Sequence, residues 1–154
     1  MNQSNLYNNL THINPLITEQ NFINLKKFKL NSIQNNENIV YIIKISETSD
    51  KMKLIIECKE TTTNNTYKIK LTLNDFQNLF TGLKAYNSLD DINEIISDIL
   101  NNKNAIITPS INLEYINLSL KIFLFNGSTQ EIKLELKRVN DYDKNINNAN
   151  NNRL

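Results

Sequence analysis

The chain has 154 residues, apolar side chains at 40%, and a formal net charge of +1 from 17 basic and 16 acidic residues. That is enough for one domain with a real core, and it sets up no surplus field to recruit nucleic acid or an anionic membrane. One His, one Cys, two Gly and no Trp leave almost no material for serine–histidine or cysteine–histidine catalysis, a cysteine zinc site or an internal disulfide.

Asparagine occurs 30 times and isoleucine 22 times, the alphabet of an AT-rich genome, with Asn filling ordinary solvent positions. No window has the apolar length to span a bilayer. Met1 to Asn9 lacks both the basic run and the apolar stretch of a signal peptide. With the lone Cys58, this suggests a reducing, cytoplasmic setting.

Residues 1–14 read as a flexible polar arm that carries the single histidine, His12. A domain is expected over 15–139. Phe22, Leu25 and Phe28 recur every three residues, as on one face of a short helix, so Pro15 to Leu30 reads as a short helix or turn leading into a strand. Asn31 to Asn38 reads as a polar break. Ile39 to Ser46 is dense in β-branched residues and predicts a strand. Met52, Leu54, Ile56 and Cys58 share the inward parity of a second strand. Tyr67, Ile69, Leu71 and Leu73 alternate with Lys68, Lys70 and Thr72 in a third. The short loops between them imply antiparallel neighbours.

The period changes at Leu73. Thr72 or Asn74 can cap a short helix bearing Phe76, Leu79 and Phe80, with Asp75 in its first turn and Gly82 as its stop. Ser88 caps a second helix, and Asp91 completes a capping box. Ile92, Ile95, Ile96, Ile99 and Leu100 form its apolar stripe, while Asp90, Asn93, Glu94, Ser97 and Asp98 are expected to face water. Period two then returns. Ala105 to Thr108 is a short strand that Pro109 confines to an edge. Ile116, Leu118, Leu120, Ile122 and Leu124 share one face, opposite Asn117, Ser119 and Lys121. Asn126-Gly127 is a hairpin turn, and Ile132, Leu134 and Leu136 line the returning strand. From residue 140 to 154 a disordered polar tail is expected. The fold class is α+β: an antiparallel sheet or small β-sandwich of about six or seven strands, with two helices inserted between the strand groups.

Few residues suggest chemistry. Cys58 continues an inward parity and reads as a small buried hydrophobe. No glycine-rich phosphate loop is present, because Gly82 and Gly127 each have a turn to explain them. The basic candidates are Lys26, Lys27 and Lys29, Lys68 and Lys70, and Lys133 and Lys137 with Arg138; the strand lysines lie on the solvent parity, alternate with Thr or Glu, and lack the aromatic partners that stack bases. Phe123 and Phe125 break the pattern: they stand on the polar face just before the turn. Phe123, Phe125, Asn126 and Gly127 are therefore the candidate interaction surface, covered either by the arm or by a partner.

The runs YKIKLTLNDFQNLF, SLDDINEIISDILNN and LSLKIFLFNGSTQEIKLELK, in that order, resemble in topology the globular heads of centriolar spindle-assembly and DNA end-joining scaffold proteins. The resemblance covers about residues 39 to 138. It implies a non-catalytic interaction or assembly module, with no cofactor or metal, that takes a protein partner or a second copy. Two other readings stay open. One is a small enzyme or ligand binder using carboxylates, whose sign would be a pocket holding two acids about 5 to 10 Å apart. The other is weak, salt-sensitive nucleic-acid binding through the lysines.

Overall fold

Isoleucine and valine set the centre of the structure. The computed structural model describes residues 22–79, 81–123 and 126–139; the expected arm and tail, and with them His12, lie outside these. The β-branched run belongs to strand β2 (Glu37–Thr48), where Tyr41, Ile43 and Ile45 are fully enclosed. Its neighbours are β1 (Phe22–Gln34) and β3 (Leu54–Glu60), followed by β4 (Thr66–Leu71). Helix α1 (Leu73–Leu79), a 3₁₀ turn (Thr81–Ala85) and helix α2 (Leu89–Asn101) come next. Strands β5 (Ala105–Pro109), β6 (Tyr115–Phe123) and β7 (Thr129–Arg138) complete the chain order.

All seven strands belong to one antiparallel sheet ordered β1-β2-β3-β4-β7-β6-β5. The joint between its halves is narrow, since β4 and β7 pair only at Tyr67↔Arg138 and Lys68↔Lys137. Beyond that point the strands splay, and the sheet curls until its two edges nearly meet. Ser32 Oγ on β1 donates to the Ile107 carbonyl on β5 at 3.3 Å, with no ladder between them. Leu54, Ile56, Tyr67, Ile116, Leu118, Leu120, Leu134 and Leu136 fill the interior at 1% exposure or less. The expected α+β architecture is the observed one.

Three expectations about the strands need correction. Phe22, Leu25 and Phe28 lie in β1, not on a helix; residues 15–21 fall outside the described part. The ladder with β2 overrides the three-residue spacing, helped by a register shift between Ile23 and Lys26 and a left-handed Asn24 at φ 55°. Such a bulge moves a side chain to the other face, which leaves Phe22 and Leu25 40% and 53% exposed. The polar stretch 31–38 is no break either. Asn31 to Gln34 continue β1, and Asn35-Asn36, at φ 51° and 66°, make a two-residue hairpin turn. Asparagine tolerates the left-handed region that such a turn demands. Met52, finally, is 62% exposed, because β3 starts only at Leu54 and Met52 belongs to the turn before it.

The helices form largely as expected. Thr72 Oγ1 accepts from the Asp75 amide at 3.1 Å, and the Thr72 amide donates to Asp75 Oδ2 at 2.9 Å, a reciprocal capping box on α1. Phe76 is buried, while Leu79 is 46% exposed. Gly82 sits inside the 3₁₀ turn rather than stopping α1. Ser88 caps α2 by accepting from the Asp91 amide. The stripe Ile92, Ile96, Ile99 and Leu100 is buried, and α2 packs on β1, β2 and β6. Asn93 and Ser97, expected to face water, are 2% and 4% exposed. They follow directly on Ile92 and Ile96, and a helix held against both halves of a curled sheet buries more than its apolar stripe. Among the described residues no helix is long and apolar enough to cross a membrane.

Candidate functional site

Strands β6 and β7 pair from Tyr115↔Lys137 to Phe123↔Thr129. β5 pairs with β6 only as far as Ala105↔Leu120. The hairpin therefore runs past its neighbour by the stretch Lys121 to Phe123, anchored at its base where the Lys121 amide donates to Asn104 O at 2.9 Å. At the tip, Asn126 Oδ1 accepts from the Ser128 amide at 2.9 Å. Gly127 takes φ 82°, and a Cβ built there would meet nothing within 4 Å. This is a turn that its own residues can set, with open space on the side where a Gly127 Cβ would stand.

Phe123 stands on the solvent face and is 59% exposed. Lys121 Nζ lies 5.6 Å from its ring centroid, a cation–π distance. On the same face, Ile106 is 68% exposed and pairs with Ser119. Beside Ile106 is an open hollow of about 530 Å³ lined by Lys103, Ile106, Ser119, Lys121, Gln130 and Glu131 among others. Of the four candidate residues, Phe123, Asn126 and Gly127 gather at this tip; Phe125 lies outside the described residues.

The lysines are partly brought together. Lys68, Lys70, Lys133 and Lys137 rim the cleft of about 500 Å³ where β4 and β7 diverge, with Glu135 among them. Lys68 pairs with Glu57 on one side and Lys137 on the other, and Lys133 Nζ is 3.9 Å from Glu131. Interleaved carboxylates thus offset much of this charge. Cys58 is fully enclosed, and burial pushes its thiol well above the ordinary range, so no thiolate nucleophile forms there.

A polar cluster that the alternation analysis did not single out lies at the other end of α2. Glu47, at the end of β2, is 0% exposed. Its Oε2 accepts from Asn24 Nδ2 at 2.9 Å and from Asn93 Nδ2 at 3.1 Å. Its Oε1 is buried and has no hydrogen-bond partner among the described residues. The single Ser97 hydroxyl proton is shared between the Asn93 carbonyl, at 2.6 Å, and Asn93 Oδ1, at 3.1 Å. Asp90, at the mouth, accepts from Asn24 Nδ2 at 3.2 Å and from Lys51 Nζ at 3.3 Å. Hydrogen bonding with the neighbouring Glu47 side chain, then with Lys51, holds the Asp90 carboxyl below its usual range. Parity could have found Glu47, since it extends the inward series of Tyr41, Ile43 and Ile45.

No protein-family model and no curated protein matches the chain. Among solved structures it is similar to ceSAS-6 in a stabilised dimer, at 17% identity and a TM-score of 0.58, covering 79% of this chain and 100% of that one. It is similar to the head domain of human CCDC61, at 10% identity and a TM-score of 0.52, covering 74% and 99%. A third is an N-terminal fragment of Drosophila melanogaster Sas-6 dimerised via its coiled-coil domain, at 12% identity and a TM-score of 0.50, covering 85% and 73%. The likeness is one of fold, and it agrees with the centriolar side of the resemblance drawn from the sequence.

Proposed function

We propose that the chain is a non-catalytic assembly module that docks a protein partner or a second copy through the tip of the β6–β7 hairpin. The observation that carries this reading is Phe123: a large apolar ring, 59% exposed, on a strand that outruns its neighbour. An apolar group at a projecting turn recovers its hydration cost only when something covers it. Two further observations support the reading. Ile106, 68% exposed on the same face, adds a second apolar side chain at the rim of the nearby hollow. Two of the structures sharing the fold are dimers of their own proteins, the Drosophila one joined through its coiled-coil domain. On the catalytic side, Cys58 is enclosed and unionised, and no group of three or more His, Cys, Asp or Glu that could hold a metal occurs among the described residues. A cytoplasmic setting suits a lone free thiol.

Sedimentation of the wild-type chain against a variant carrying Phe123→Asp and Phe125→Asp tests the proposal. The wild type is expected to self-associate, or to hold a partner, in a way the variant does not. Equal behaviour of the two proteins, with the same partners bound, would falsify the hairpin as the docking surface.

A further inference from the structure

Of the 30 asparagines in the chain, several make turns. Asn36 and Asn64, at φ 66° and 62°, lie between β1 and β2 and between β3 and β4. Each is followed by a residue with a side chain, Glu37 or Asn65. Asn126 alone precedes a glycine, since Gly82 follows Thr81. That difference is chemical as well as conformational. A backbone amide can attack the side-chain carbon of the asparagine before it, and a Cβ on the attacking residue hinders the approach. Gly127 has none, and a Cβ there would meet nothing within 4 Å, so the space around it is open. Among the described residues no backbone carbonyl accepts from the Gly127 amide. The carbon under attack is also prepared. Asn126 Oδ1 accepts from the Ser128 amide at 2.9 Å and from Ser128 Oγ. Two donors on one carbonyl draw electron density from Cγ and stabilise the negative charge that gathers on Oδ1 during attack, as an oxyanion hole does. Asn126, Gly127 and Ser128 are all exposed, so water reaches them.

We propose that Asn126-Gly127 is a self-modifying site, where Ser128 holds the Asn126 side-chain carbonyl, the Gly127 amide closes on it, and the neutral tip becomes an anionic one. The Gly127 nitrogen gives its proton to hydroxide and forms a bond to Asn126 Cγ. The Cγ–Nδ2 bond breaks, and Nδ2 leaves as ammonia with a proton from water, which restores the hydroxide. Water then opens the five-membered succinimide at either carbonyl. One opening gives aspartate. The other gives isoaspartate, in which the backbone runs through the former side chain. The net change is water in and ammonia out, with no oxidant or reductant. Ser128 is a positioning residue, acting through the carbonyl it holds. The new carboxylate arises at the same turn as Phe123, where an apolar contact would have to desolvate it. This effect on docking rests on the assembly reading above; the conversion itself does not.

The test ages the full chain at physiological pH and temperature and follows each asparagine by peptide mass spectrometry, with isoaspartate counted by enzymatic methylation. Asn126 should gain a carboxyl group well ahead of Asn36 and Asn64, with isoaspartate among the products. Ser128→Ala removes one of the two donors and should slow the conversion about threefold, the worth of one neutral hydrogen bond. In urea, where the turn is lost, the two proteins should convert at the same rate. The proposal is overturned if Asn126 only keeps pace with Asn36 and Asn64, or if wild type and Ser128→Ala convert alike in the folded chain. It is also overturned if their difference persists unchanged in urea, because the turn geometry would then not be its source. Ion exchange next isolates the fraction changed at Asn126 alone, for sedimentation beside the unchanged fraction. Loss of association or of a partner in the changed fraction only shows that the new charge acts on docking. Equal association of both fractions removes that effect. If neither fraction associates or holds a partner, the docking reading fails, and the conversion stands on the mass data.

Discussion

The two ends of helix α2 break the hydrophobic pattern in opposite senses. At its C-terminal end, Asn104 anchors a hairpin that holds Phe123 out in water. At its N-terminal end, Glu47 carries a carboxyl group into the core. The helix is thirteen residues long, about 20 Å from end to end. Each departure costs free energy locally, and a fold retains such conflicts where something other than packing uses them. The difference lies in what the rest of the structure has done about each. The tip's side-chain hydrogen bonds among the described residues stay within its own turn, from Ser128 to Asn126. The carboxyl is clasped by Asn24 on β1 and Asn93 on α2, so it ties an edge strand to a helix.

That contrast breaks most visibly at Glu47. Glu47→Ala should leave the Asn93 amide without its acceptor and open a void, lowering unfolding free energy by about 2 to 3 kcal/mol in urea titration. Glu47→Gln keeps an oxygen for the two asparagines and should cost about 1 kcal/mol or less. Equal losses in the two variants would mean that charge, not the clasp, is what the cluster supplies.

The next effect uses pH to separate the two ends. Cys58, Tyr41 and Tyr67 all lie on the enclosed face of β2, β3 and β4, and burial raises each above its ordinary value of 9.0 for the thiol and 10.0 for the phenols. Their contribution is fully present below those values. As pH rises past 9 the unfolded chain releases protons that the native chain keeps, so stability falls. The slope for Cys58 alone is about 1.4 kcal/mol per pH unit. Urea unfolding at pH 8, 9 and 10 should show this loss, and Cys58→Ala should flatten the interval between pH 9 and 10. Changes at the hairpin tip should leave the profile's shape as it was.

At the tip itself the largest stability effect should come from Gly127, whose φ of 82° suits a residue without Cβ. Because a Cβ there would meet nothing within 4 Å, Gly127→Ala should cost only backbone strain, about 1 kcal/mol. Gly127→Asn should cost less, since asparagine visits that region more readily. A larger loss in thermal unfolding would mean that the tip is packed against something.

These outcomes also bear on what could be read from residue order. Strict alternation from Tyr67 to Leu71, the capped stripe of α2 and the Asn126-Gly127 turn each follow from local chemistry, and each appears where the pattern puts it. β1 was hidden because it is an edge strand with only Leu30 buried, so its faces carry little contrast, and its bulge at Asn24 scrambles what contrast remains. Asn93 and Ser97 read as solvent-facing because polarity alone points a side chain outward. Their burial depends on Glu47 arriving from 46 residues away, a long-range pairing that periodicity does not encode. Phe123 was legible as a parity error, and Leu124 and Phe125 beside it lie outside the described residues.

The smallest expected stability effect is the most telling one. Phe123→Asp should change unfolding free energy by no more than about 0.5 kcal/mol, as surface substitutions generally do. The ring is 59% exposed, and the cation–π contact from Lys121, itself exposed, is of the weak surface kind. A carboxylate there even gains that lysine as a neighbour. If association is lost while stability holds, the ring serves a surface outside its own domain. A drop comparable with that of Glu47→Ala would instead show Phe123 covered from within the chain, and both ends of α2 would then be internal clasps.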